Sequence, residues 1–189
     1  MTTANAVTVP VASRSIGVRV AAALAGALLV AAAAQVSVRL PGTGVPMTLQ
    51  PFAVLMVGGL LGPRFGALSL ASYLAMGAAG LPVFTPGGLP GAARLFSETG
   101  GFLLAYPVAA SLTGLVSSRL RGAAGSFLGP LAGLAVIFAG GLAQLTILTG
   151  NARAAVALGA LPFLAKDLLS VAVAGLLIRR LLPSTRALS

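Results

Sequence analysis

The chain is divided into six apolar runs, several of them close to the roughly 20 residues that span a bilayer, by breaks rich in Gly and Pro or carrying Arg. A soluble domain must cover its surface with polar and charged groups. With 58% hydrophobic and 7% charged residues, this chain has too few of them. Its mean hydropathy of +1.04 says the same. The expected fold is an all-α integral membrane protein in one domain covering 1–189. Helices are expected at about 15–34, 48–61, 65–80, 100–118, 126–149 and 162–182. Pro63 cannot continue a helix without losing a hydrogen bond, and Gly62 and Gly66 permit the turn there. Pro162 suits a first helical turn, where its missing N–H costs nothing.

Composition also excludes chemistry. With no Cys and no His, the chain holds no disulfide, thiol nucleophile, histidine base or Ser-His-Asp arrangement, and no metal site is expected. The lone lysine, Lys166, is followed by Asp167, so no GxxxxGK[ST] phosphate loop is present. Energy for uphill transport would have to come from a partner or an ion gradient. Two acidic residues in the whole chain are too few for ordinary acid–base catalysis, and no enzyme is expected.

The net charge of +10 comes from twelve basic and two acidic residues. A nucleic-acid site needs a contiguous basic surface. Here the basic residues stand singly or in pairs between apolar runs, so no nucleic-acid partner is expected and the bilayer takes that place. Arg14, Arg19, Arg64, Arg119, Arg121, Arg179, Arg180 and Arg186 fall on one side of the six-helix layout, and Arg39, Arg94 and Arg153 on the other. Eight against three puts both termini in the cytoplasm by the positive-inside rule. Arg14 and Arg19 before an apolar stretch ending in Ala31–Ala34 resemble a cleaved leader, but the long polar segment ahead and five further helices favour a retained anchor. Small residues at four-residue spacing in the first helix (Ala23, Ala27, Ala31) are ordinary in so alanine-rich a chain.

Charges inside a membrane segment cost roughly 2.5–3.5 kcal/mol each near the centre, so each needs a reason. Lys166 and Asp167 lie one to two turns into the last helix, and Ser170 follows at helical spacing on the same face. Together they offer a cation, an acceptor and a hydroxyl, which a ligand with N–H donors and a carboxylate would satisfy; a salt bridge between helices or snorkelling is the plainer alternative. The loop into the fourth helix brings Arg94, Ser97, Glu98, Thr99, Gly100 and Gly101 to the same side. Irregular backbone near a membrane is tolerated where it is buried in protein or lines an aqueous cavity. Thr48 and Gln50 open the second helix on that side, with Thr48 also readable as a cap, and Gln144 reads as glue between helices.

Three segments together resemble the BioY family, the biotin-binding S components of energy-coupling factor transporters. They are VPMTLQPFAVLMVGGLLGPRFGALSLASYLAMGAAGLPVF at 45–84, SETGGFLLAYPVAA at 97–110 and LPFLAKDLL at 161–169. The resemblance covers about residues 20–180 in order. It implies a six-helix S-component bundle in a bacterial inner membrane, with an outward-facing pocket roofed by outer loops. It also implies capture of biotin as cargo, with no resident cofactor, and delivery with a coupling transmembrane subunit and two ATPase subunits. In this family the acid matching Asp167 is expected to accept hydrogen bonds from the ureido ring. The lysine usual three positions later is replaced by Ser170, and the proline usual before Thr-Gly-Gly by Glu98. Lys166 or Arg94 is then the expected cation for the ligand's carboxylate, and Phe84, Phe102 and Tyr106 are expected walls. Two other readings stay open: an S component for another vitamin, and a self-sufficient proton-coupled carrier using Asp167 or Glu98. A membrane protein with no ligand is the third.

Overall fold

Apolar side chains on every face of the long segments leave helices as the way to satisfy the backbone without water. The structure, a computed structural model, describes residues 16–120 and 122–185. Arg14, Ser15, Arg121 and Arg186, which entered the helix and charge expectations, lie outside the described residues. Helix α1 (Ile16–Gln35) leads into a small antiparallel hairpin, β1 (Ser37–Val38) against β2 (Met47–Thr48), with Ser37 opposite Thr48 and Val38 opposite Met47. Then follow α2 (Gln50–Ala78), a 3₁₀ helix (Gly91–Phe96), α3 (Gly100–Arg119), α4 (Gly122–Thr149), α5 (Ala152–Gly159) and α6 (Leu164–Thr185).

Among the described residues, four helices are long and apolar enough to cross a membrane. There are five if α5 and α6, bent by 58° at their junction, make one span. Leu28, Leu29, Leu104, Val108, Ile147 and Leu148 face outward and are exposed, an apolar exterior that a bilayer satisfies and water does not. This is a multi-pass membrane protein.

The break expected between the second and third apolar runs is confined to one residue. Gly62 takes φ 77°, ψ 179°, outside the helical range, while Pro63 sits at the head of the next turn without needing an N–H. The chain doubles back there. Gly58 and Gly66 come together closely enough that a Cβ on Gly66 would lie 3.0 Å from the Gly58 Cα. At the far end, Gln50 Nε2 donates to Tyr73 Oη at 2.7 Å. In a straight helix those two residues would be roughly 34 Å apart.

α3 packs most extensively on α2 and α4, and α6 closes against the same two helices. Leu55, Leu70, Tyr73, Val30, Val54 and Ile137 form the buried interior. The buried hydroxyls of Ser69 and Thr113 bond carbonyls one turn back, Phe65 O and Ala109 O, each at 2.8 Å, so they add no unmet polar group.

The hairpin and the 3₁₀ helix were not expected, Thr48 lies in β2 instead of opening the second helix, and the later elements depart from the expected layout too. The stretch 150–161 is not a plain loop: Asn151 Oδ1 accepts from Arg153 N at 2.9 Å and Ala154 N at 3.3 Å, capping α5. Because α5 ends in a turn over 160–163, α6 begins at Leu164 and Pro162 lies in the turn rather than in the helix. α4 begins at Gly122, ahead of the expected 126.

Candidate functional site

A cavity lies where the hairpin, the head of α2, the 3₁₀ helix, α3, α4 and the α5–α6 junction converge. It encloses about 560 Å³ of space outside atoms, part of it open to solvent. Its walls are mostly apolar, with Phe102, Leu103 and Tyr106 from α3, Ile137 and Phe138 from α4, and Phe163 from the turn before α6. The polar groups are few: Thr48, Gln50, Thr85, Arg94, Thr99, Lys166 and Asp167.

One part of the lining is built by α6. Asp167 is 4% exposed and ion-paired with Lys166. Lys166 Nζ also donates to Thr48 O at 2.8 Å, which ties α6 to the hairpin. Apart from that ion pair, Asp167 Oδ1 has no hydrogen-bond partner among the described residues. A buried carboxylate accepts several hydrogen bonds when it can, so capacity for N–H donors remains.

Beside the cavity runs a hydrogen-bond relay centred on Gln50. Its Oε1 accepts from Thr48 Oγ1 at 3.2 Å and Thr85 Oγ1 at 3.0 Å, while its Nε2 donates to Tyr73 Oη. Gln50 N in turn donates to Thr48 Oγ1 at 3.2 Å. Each member fixes the next, so the Gln50 amide is held in one orientation.

A third part of the lining is Arg94, a buried arginine carried by the 3₁₀ helix and 4% exposed. Its Nη2 donates to Thr85 O at 3.2 Å, and its Nε is buried without a partner. The guanidinium fills space that Gly88 leaves by lacking a side chain. Burial lowers the proton affinity of Arg94, with nearby Arg39 acting in the same direction. The guanidinium nonetheless stays charged at neutral pH. Arg94, Pro46 and Thr99 also line an outer vestibule with Arg39, Thr43 and the exposed Glu98. Across it Arg39 Nη2 donates to Gly87 O at 2.9 Å, and Thr43 Oγ1 donates to Leu158 O at 2.8 Å, so the first loop is tied down on both sides.

Of the residues expected from sequence, Thr48, Gln50, Arg94, Thr99, Phe102, Tyr106, Lys166 and Asp167 line the cavity. Four do not. Phe84 packs edge-on against Tyr73, with centroids 5.5 Å apart at 79°, and belongs to the interior. Ser170 Oγ donates back to Lys166 O at 3.0 Å, so its hydroxyl is spent within α6. Gly100 and Gly101 face Leu95 O, Gly140 O and Gln144, where a side chain would push α3 from its neighbours. Gln144 is indeed glue: its Nε2 donates to Ser97 O at 2.6 Å and Leu95 O at 3.1 Å. Sequence reasoning missed Thr85 and Tyr73, whose only signal was a polar group near an outer loop or inside an apolar run.

A family model described as the BioY family matches residues 4–187. A protein named probable biotin transporter BioY from Pyrococcus horikoshii is 38% identical over 157 residues, covering 83% of this chain and 91% of that one. The biotin transporter BioY of Thermotoga maritima is 35% identical over 144 residues, covering 76% and 85%. Among solved structures, the S-component for biotin from an ECF-type ABC transporter superposes with a TM-score of 0.78 at 23% identity, covering 87% of this chain and 90% of that one. At that identity the match is evidence of shared fold.

Proposed function

The chain belongs to the BioY family, and from that premise we propose that it is the substrate-binding membrane subunit of a biotin importer. The observation that carries the reading is a complementary pair of residues with unmet polar atoms lining one largely apolar cavity. Asp167 offers acceptor capacity, and Arg94 offers an unpaired Nε–H. Biotin has a ureido ring with N–H donors, a partly apolar bicycle and a carboxylate. In this reading Asp167 accepts from the ureido group, Phe102, Tyr106 and Phe163 flank the rings, and Arg94 takes the carboxylate. Lys166 is already engaged by Asp167 and Thr48 O, which favours Arg94 over it for that role.

The same reading takes both arms of α2 as membrane passes, giving six, with both termini cytoplasmic and the cavity open outward in a bacterial inner membrane. The eight-to-three distribution of arginines supports that orientation. A coupling transmembrane subunit and two ATPases would then supply the energy, since the chain has no phosphate-binding loop. Proton-coupled carriage has less support: Glu98 is exposed and Asp167 is held by Lys166.

Equilibrium binding of labelled biotin to the detergent-purified protein, with thiamine and riboflavin as competitors, tests the proposal. Tight binding displaced by biotin alone is expected. Folded protein that ignores biotin overturns it, and displacement by thiamine or riboflavin reassigns the vitamin.

A further inference from the structure

Arg19 and Arg64 meet at a second recess, formed where the start of α1 passes the Gly62 break in α2. Arg19, Leu61, Pro63, Arg64 and Phe65 line about 590 Å³ of space there, part of it open to solvent. Arg19 is four residues into α1, roughly 24 Å along the helix from Gln35 and hence from the cavity end of the bundle. Its guanidinium carbon lies 5.9 Å from the centroid of the Phe65 ring, close enough for a cation–π contact that fixes the side chain. Its Nε is buried and has no hydrogen-bond partner. Arg64 is exposed at the rim.

Two guanidinium groups lining one recess favour an anion there. Among the described residues no side chain supplies it. Of the chain's two acids, Asp167 pairs with Lys166, and Glu98 lies by Gly44 in the outer vestibule. Positively charged residues at a helix end are ordinary in membrane proteins. An arginine held by Phe65, with a buried, unmet donor and lining a recess, is more than that. Guanidinium forks match the geometry of a phosphate, giving two parallel N–H···O bonds. Ile16, Val20 and Leu68 are exposed beside these arginines in the sequence, on the same two helices, which suits a hydrocarbon chain attached to that phosphate.

We propose that Arg19 and Arg64 bind the phosphate of an anionic phospholipid headgroup at this recess. The lipid then clamps α1 to the folded-back α2 at the end of the bundle away from the cavity.

Native mass spectrometry of the full chain, released from detergent with added phosphatidylglycerol, phosphatidylcholine or inorganic phosphate, tests this. Wild-type protein is expected to retain phosphatidylglycerol in preference to phosphatidylcholine. Arg19→Gln and Arg64→Gln are each expected to reduce that retention at least fivefold, while Arg119→Gln leaves it unchanged. Circular dichroism of each variant confirms helix content; should Arg19→Gln fail to fold, the exposed Arg64 carries the test. Equal retention in all variants, or equal loss in Arg119→Gln, means diffuse surface charge and overturns the site. Displacement of phosphatidylglycerol by equimolar inorganic phosphate assigns the recess to free phosphate and overturns the lipid.

Discussion

Lys166 Nζ donates a 2.8 Å hydrogen bond to the backbone carbonyl of Thr48, 118 positions earlier in the chain. With the Asp167 ion pair, it joins α6 to the hairpin and the head of α2. Removing the ammonium strands a buried carboxylate. Lys166→Met is expected to destabilise the fold by about 1–3 kcal/mol, below the full cost of breaking a buried pair because the lysine is partly exposed. Thermal unfolding in detergent measures it. Adding Asp167→Asn should restore part of the loss; a double variant no more stable than Lys166→Met would separate the lysine's role from the pair.

Asp167→Asn keeps the shape and removes the charge. Losing a charge-assisted hydrogen bond worth about 1.5–3 kcal/mol predicts biotin affinity lower by tenfold to 150-fold. Unchanged binding in this variant would take Asp167 out of the ligand's contacts.

Arg94→Gln is best read against two ligands. Wild-type protein should prefer biotin to its carboxamide, which lacks the negative charge. In the variant, biotin affinity should fall by at least tenfold while the carboxamide changes little, so the preference disappears. Equal losses for both ligands would mean that Arg94 shapes the loop and does not meet the carboxylate.

Ser170→Ala separates the structure from the sequence expectation. Its hydroxyl bonds Lys166 O within the same helix, so removal should change biotin affinity by no more than about twofold. A larger loss would put the hydroxyl back among the ligand contacts.

Gly58→Ala probes how α2 is folded. A Cβ there would collide with the backbone of Ala110 on α3, which has no flexible side-chain end to move aside. A loss of roughly 1–3 kcal/mol is expected, read as a lower melting temperature. An unchanged melting temperature would contradict contact between these helices at Gly58.

Much of the architecture was legible along the chain because it depends on local properties. Apolar length marks the membrane helices, and a Gly-Pro pair marks a fold-back whatever the rest of the molecule does. The cost of a charge in an apolar segment singles out Lys166 and Asp167 before any neighbour is known. The N-cap of α5 at Asn151 was written there too, but eight residues between two long apolar runs are too short a stretch to stand out as a separate helix.

What tertiary packing alone decided is which polar atoms remain unmet. Ser170 and Asp167 share a helix face, yet one bonds its own backbone and the other lines a cavity. Lys166 and Arg94 were equivalent candidates in the sequence. They part only because Thr48 O lies within reach of one, while the other has a buried Nε with nothing opposite. Phe84, Gly100 and Gly101 sit in segments that look like binding loops, but the space around them is taken by Tyr73 and α4. A hydrogen bond's partner depends on distances between residues far apart in sequence, and those distances exist only once the helices have packed.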